Sequence, residues 1–156
     1  MTTQTSKVNI GTLIHGTLRN EDLIPAFTSE LAYLSDGQHP LLTEINEYDV
    51  LQKRLSYSED ISLESQQDIA SDLVNDLIDA LNDYAPAHTY FGTLEGDGSD
   101  FGFWPDADSF EDCRIVGTPT DSEITMDLDC EIYIHINDHG NVTTYDLNRN
   151  EIWSVV

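Results

Sequence analysis

A chain of 156 residues is long enough to bury a hydrophobic core as one domain, and 39% apolar with 23% charged residues is ordinary for a globular protein. The sign balance is not ordinary: 30 acids against 6 bases give a formal net charge of −24. Such a chain repels phosphates, which argues against direct binding of nucleic acid or of an anionic membrane and points to a basic partner.

The Thr-rich start, residues 1–7, has no apolar signal core and reads as a flexible tail ahead of a single domain, residues 8–156. No run approaches the roughly 20 apolar residues that span a bilayer. Cys113 and Cys130 have neither metal nor redox spacing. The expectation is a cytoplasmic protein with free thiols, or a Cys113–Cys130 bridge if their segments pair as neighbouring strands.

In chain order, residues 8–14 are apolar enough for a short strand or an extended arm. Asn20, Glu21 and Asp22 look like a helix start, a capping residue followed by acids that suit the positive helix end. Leu23, Phe27, Leu31 and Leu34 follow at helical spacing. Pro25 belongs either to the first turn of a helix starting near Ile24 or to a kink in one starting at Asn20. Asp36 and Gly37 end the element. Leu41, Leu42, Ile45, Tyr48 and Leu51 predict a second helix over 40–55, with Lys53 and Arg54 near its negative end.

The clearest element is a helix over 62–84. Ile69, Leu73, Val74, Leu77, Ile78 and Leu81 form one broad apolar arc at a step of about 100° per residue. Glu64, Asp68, Asp72, Asp76, Asp79 and Asp83 take the opposite arc, and Pro86 stops the helix. Asp is a poor interior helix former. Like charges four apart cost about 0.2–0.5 kcal/mol per pair, and a face built for solubility alone would mix in Lys, which this one lacks.

The last third is strand-like. Tyr90 and Phe91, then Phe101, Phe103 and Trp104, flank a Gly/Asp-rich turn at 96–100. Arg114 to Val116 and 124–128 are candidate strands. Ile132, Ile134 and Ile136 alternate with Tyr133 and His135 as in a half-buried strand. Residues 137–141 are turn chemistry, 142–145 return antiparallel, residues 148–150 turn again, and 151–155 close the meander with Trp153 and Val155 on one face. The predicted fold class is α+β: two to three N-terminal helices packed on a C-terminal antiparallel sheet.

Few constellations carry chemistry. The 96–100 segment offers carboxylates, but not the alternate-position spacing or the closing bidentate Glu of a calcium loop. Asp100, Phe101 and Gly102 spell a kinase tripeptide without the remaining kinase motifs. His135 and His139 are four apart, yet a turn separates them and no HExxH pattern accompanies them. Acidic neighbours such as Asp112 would raise the Cys113 pKa and blunt a thiolate. The aromatic cluster lacks the flanking Arg or Lys of a base-stacking platform and reads as core. The expected metal and cofactor complement is none, with no catalytic residue assigned. A rival reading is a small enzyme or ligand-binding domain built around the aromatic, Gly/Asp-rich region 91–104 with His15 or His139.

Residues 55–113 contain 15 acids and no Lys or Arg. Acids repeating every helical turn, about 5.4 Å apart, resemble the charge row of a nucleic-acid strand. The expected partner is therefore a basic surface on a nucleic-acid-binding protein, contacted by Glu64, Asp68, Asp72, Asp76, Asp79 and Asp83. Asp97, Asp100, Asp106 and Asp108 extend that candidate surface. Solubility or a salty habitat is the competing explanation of the same acids.

The blocks HGTLRNEDLIPAF from His15, YFG from Tyr90, GDGSDFGFWP from Gly96, DHGNVTTY from Asp138 and the terminal Ile152-Trp153 resemble a family of small uncharacterised acidic proteins often encoded by phages and mobile elements. The likeness runs through most of the chain in order. It implies a context, a host- or defence-directed binder, and carries over no activity and no functional residue.

Overall fold

The structure, a computed structural model, describes residues 7–55, 62–109, 114–115 and 132–155. The predicted strand at 124–128 and both cysteines lie outside them. In chain order the elements are β1 (Gly11–His15), α1 (Asn20–Leu34), α2 (Pro40–Leu55), α3 (Leu63–Asn82), β2 (Thr89–Leu94), β3 (Asp97–Pro105), β4 (Arg114–Ile115), β5 (Ile132–Ile136), β6 (Val142–Asp146) and β7 (Glu151–Val155). This is an α+β protein whose helices precede most of its strands. The strands divide between a sheet of order β1-β3-β2 and one of order β4-β5-β6-β7. The chain forms two compact units, one of residues 12–85 and 91–102, the other of the described residues among 1–11, 86–90 and 103–156.

In the helical unit, α1 begins at Asn20 and not near Ile24, the first of the two starts that Pro25 left open, but Asn20 is not its cap. Arg19 is the extended N-cap residue and Asn20 is already helical. Arg19 makes no side-chain cap; instead Thr17 Oγ1 accepts from the Arg19 backbone N–H at 3.1 Å and donates to the Asp22 carboxylate at 2.7 Å. Pro25 sits inside the helix, where it removes one N–H donor just after the first turn and the helix runs on to Leu34. The stop is the predicted one. Asp36 and Gly37 take positive φ of 53° and 73°, and the Gly37 N–H returns to the Ala32 carbonyl at 2.8 Å.

Proline opens α2 at a position whose N–H has no helical partner anyway, and His39 Nδ1 accepts from the Leu41 N–H at 3.2 Å. α3 is capped by Ser62, whose Oγ accepts from the Ser65 N–H at 3.2 Å. Leu23, Phe27, Leu31 and Leu34 of α1 are buried, as are Leu73, Val74, Leu77, Ala80 and Leu81 of α3, and the two helices pack together. Phe27 meets Phe91 of β2 and Phe101 of β3 edge-on, at ring-centroid distances of 5.2 and 5.3 Å. Asn82 Oδ1 ties the end of α3 to β2 by accepting from the Phe91 N–H at 3.0 Å.

The β2–β3 turn differs from expectation. Only Glu95 and Gly96 connect the strands, with Gly96 at φ 89°, the left-handed conformation a two-residue hairpin favours. Asp97 to Asp100 therefore belong to β3 and not to a loop. Four of the five predicted core aromatics, Phe91, Phe101, Phe103 and Trp104, are buried, and Tyr90 is half-buried.

In the other unit, β5, β6 and β7 form the expected antiparallel meander, and β4 adds to β5 in parallel. Asn137 Oδ1 accepts from the N–H groups of His139 and Asn141 to build the first turn. Asp146 builds the second, its carboxylate accepting from the Asn148 and Asn150 N–H groups at 2.8 Å and from the Asn150 side chain at 3.0 Å. These bonds hold its pKa below the usual carboxylate range, the Asn150 side chain contributing most. Ile134, Val142 and Trp153 form the local core with Ile10, Ile136, Ile152 and Val155 against it. Tyr133 is buried as fully as Ile134, so β5 is covered on both faces where a simple inside–outside alternation was expected. A β-bulge between Thr144 and Tyr145 shifts the β6–β7 register. Among the described residues, no helix is long and apolar enough to cross a membrane.

Candidate acidic interface

α3 presents its carboxylates as the periodicity requires. Glu64, Asp68, Asp72, Asp76, Asp79 and Asp83 are all exposed, spread over an arc of about 120° at the helical step of 100°. From Glu64 to Asp83 the helix rises about 28 Å at 1.5 Å per residue. Apolar packing of the opposite arc against α1 fixes this orientation, because rotating the helix would expose Leu77 and Leu81, both fully buried. Among the described residues, none of the six carboxylates has a hydrogen-bond or ion-pair partner. Arg19 pairs instead with Glu21, on α1 and its cap.

Ile69 departs from its expected place. It is 46% exposed, at the margin where the apolar arc meets the acids, so the stripe carries an apolar side chain on its edge.

The four acids outside α3 are differently placed. Asp97 is exposed at the start of β3, where its Oδ1 accepts from the Ser99 N–H at 3.0 Å and from the Ser99 hydroxyl at 2.8 Å. Those two bonds lower its pKa, the backbone one most. Asp100 is half-buried: Oδ2 accepts from Thr12 Oγ1 of β1 at 3.1 Å, and Oδ1 is buried with no partner among the described residues. Its carboxylate serves the β1–β3 pairing. Asp106 and Asp108 belong to the other unit, at a 3-10 turn held by the Asp106 N–H donating to the His88 carbonyl at 2.8 Å and by a 2.7 Å hydrogen bond between Ser109 Oγ and His88 Nδ1. Within the helical unit, the exposed candidate acids with no partner among the described residues are those of the α3 stripe; Asp108, exposed and likewise without one, belongs to the other unit.

A groove of about 650 Å³ opens in the same helical unit beside the first half of α3. Gln66, Gln67, Ala70 and Ser71 form its α3 wall, Asn20, Glu21 and Ile24 its α1 wall, and Asp49 of α2 stands at its side. Gln66 and Ala70 lie seven residues, about two turns, before Leu73 and Leu77, on the arc that is core in the second half of the helix. Small and amide side chains there leave space unfilled. That break in the apolar arc was the sequence signal for the groove. Among the described residues the groove contains neither a histidine nor an aromatic ring, so the side chains named for the enzyme or ligand-site rival do not line it. The described residues also hold no cluster of three or more His, Cys, Asp or Glu side chains able to bind a metal.

Glu30 on α1 feels the packing: partial burial raises its pKa above the ordinary 4.5. A carboxyl with a raised folded pKa binds its proton more tightly in the native state, so stability falls as pH rises from about 4.5 through the folded value. Glu30→Gln is therefore expected to raise the melting temperature at pH 7 by no more than about 2 °C. Below pH 4 the gain should vanish. A thermal melt at both pH values checks it, and a gain that persists in acid would assign the effect to something other than ionisation.

Comparison with protein-family models, with curated proteins and with solved structures finds no match.

Proposed function

We propose that this protein is a non-enzymatic binder whose α3 stripe occupies the basic surface of a nucleic-acid-binding protein, in the manner of a nucleic-acid mimic. The carrying observation is six exposed carboxylates on one arc of one helix with no partner among the described residues. An acidic face serving solubility alone gains by pairing with Lys at four-residue spacing; α3 has no Lys or Arg. Six charges over about 28 Å give one per roughly 6 Å, a little over half the density of a single DNA strand at about 3.4 Å per charge. That density steers a basic groove toward the helix, with a strong dependence on salt. The resemblance to phage and mobile-element proteins favours a host or defence protein as the target.

The test is capture on the immobilised protein from a bacterial lysate, with the retained protein challenged by duplex DNA. The expected result is retention at about 50 mM salt, release by about 200 mM, and release at low salt by added duplex. A retained protein that duplex DNA does not displace, or no retention at low salt, overturns the mimic reading.

A further inference from the structure

We infer that the groove beside α3 takes an arginine side chain of the basic partner, a step that rests on the acidic stripe being the docking face. Three observations lead there. The first is the chemistry of the lining. Asp49 supplies a carboxylate exposed on α2, and Gln67 and Asn20 supply amide carbonyls. The second is the hydrogen-bond order. Ser71 Oγ gives its single proton to the Gln67 backbone carbonyl at 2.9 Å, so it can only accept from Asn20 Nδ2 at 3.1 Å. That fixes the Asn20 amide with its nitrogen on Ser71, which leaves Oδ1 as an acceptor with no partner among the described residues. The third is that Ile24 and Ala70 line the same space, giving apolar surface for a side-chain stem while its charged head meets the polar walls.

A carboxylate with amide carbonyls around it, in a cleft with apolar walls, suits a planar guanidinium better than a compact ammonium. Arginine offers five N–H donors in a fixed fork, where lysine offers three on a point charge. Arg19 and Glu21 line the groove too, but they pair with each other, which leaves Asp49 as the lining charge with no partner among the described residues to meet the incoming cation. The overall charge of −24 favours a cationic occupant over an anionic one. The stripe then supplies long-range attraction, common to any basic segment, and the groove supplies the choice of arginine.

The experiment measures binding of two capped peptides of equal charge, hexa-arginine and hexa-lysine, to the full chain at about 50 mM salt. The wild type is expected to prefer hexa-arginine about tenfold, more than free guanidinium chemistry gives. Asp49→Asn and Ala70→Phe, one removing the carboxylate and the other filling the space without changing charge, should each bring that ratio to within about twofold of unity. Asp68→Asn with Asp76→Asn should weaken both peptides alike and leave the ratio unchanged. Equal affinity of the wild type for the two peptides, or a ratio that neither groove variant alters, overturns the inference while the stripe reading stands. If the stripe variants leave both peptides' affinities unchanged, the docking face itself is misassigned, whatever the groove variants do.

Discussion

Phe27→Ala is expected to destabilise the protein by about 3–5 kcal/mol, the range for truncating a buried aromatic ring. Phe27 is fully buried, and it joins the α1 layer to the β1-β3-β2 sheet through its edge-on contacts with Phe91 and Phe101. Those two rings stand on adjacent strands whose backbone hydrogen bonds hold them in place, so neither can collapse into the space that the missing ring leaves. Each aromatic pair adds about 0.5–1.5 kcal/mol to simple area burial. With native stabilities of about 5–15 kcal/mol, the loss is a large fraction of the total, in a chain whose charge already repels itself. Urea denaturation should show a lower midpoint at unchanged slope. Phe27→Leu, which keeps most of the volume, should cost well under half as much; equal costs for the two variants would mean that the site is not closely packed.

How much of this was legible in the sequence depends on what each element's signal reports. α3, expected over 62–84 and found over Leu63–Asn82 with Ser62 as its cap, was legible to within two residues because its period is local. α1 was legible in its face and its end. Of the two starts the sequence left open, the one at Asn20 holds and the one near Ile24 does not; only the cap was misread, because Asn20 looks like a cap while Arg19, with the poorer capping chemistry, takes the cap backbone conformation. The 96–100 segment read as a loop because Gly and Asp dominate it. A two-residue turn at Glu95 and Gly96 suffices, however, and Asp97 and Ser99 hydrogen-bond to each other within the strand start. The burial of Tyr133 depends on what lies over β5, which no local pattern reports. Among the candidate site residues, exposure of the α3 acids followed from periodicity. The engagement of Asp100 by Thr12 joins residues 88 positions apart and was not readable. The groove was readable only in part, as the break at Gln66 and Ala70, because its α1 and α2 walls come from elsewhere in the chain.

Asp72→Lys should move stability and binding in opposite directions. Position 72 is the centre of the stripe, with Asp68 four residues before it and Asp76 four after, and none of the three has a partner among the described residues. A lysine there turns two repulsive pairs into two attractive ones, each worth about 0.2–0.5 kcal/mol, the Asp68 pair in the better orientation. It also replaces a poor interior helix former by a good one. The folded state should gain about 1 kcal/mol, read as a higher urea midpoint and attenuated by added salt. Binding should fall at least tenfold at low salt, with a shallower salt dependence, because the middle of the charge row now repels a basic groove. The net charge changes only from −24 to −22, so a loss of that size reports the stripe and not the overall charge. If the variant gained stability and kept its partner, the acids would serve solubility and the contact would lie elsewhere. If it lost stability, the stripe would be held by interactions that the six exposed carboxylates do not display. A natural α3 that forgoes so simple a gain in stability is what a helix kept for its charge should look like.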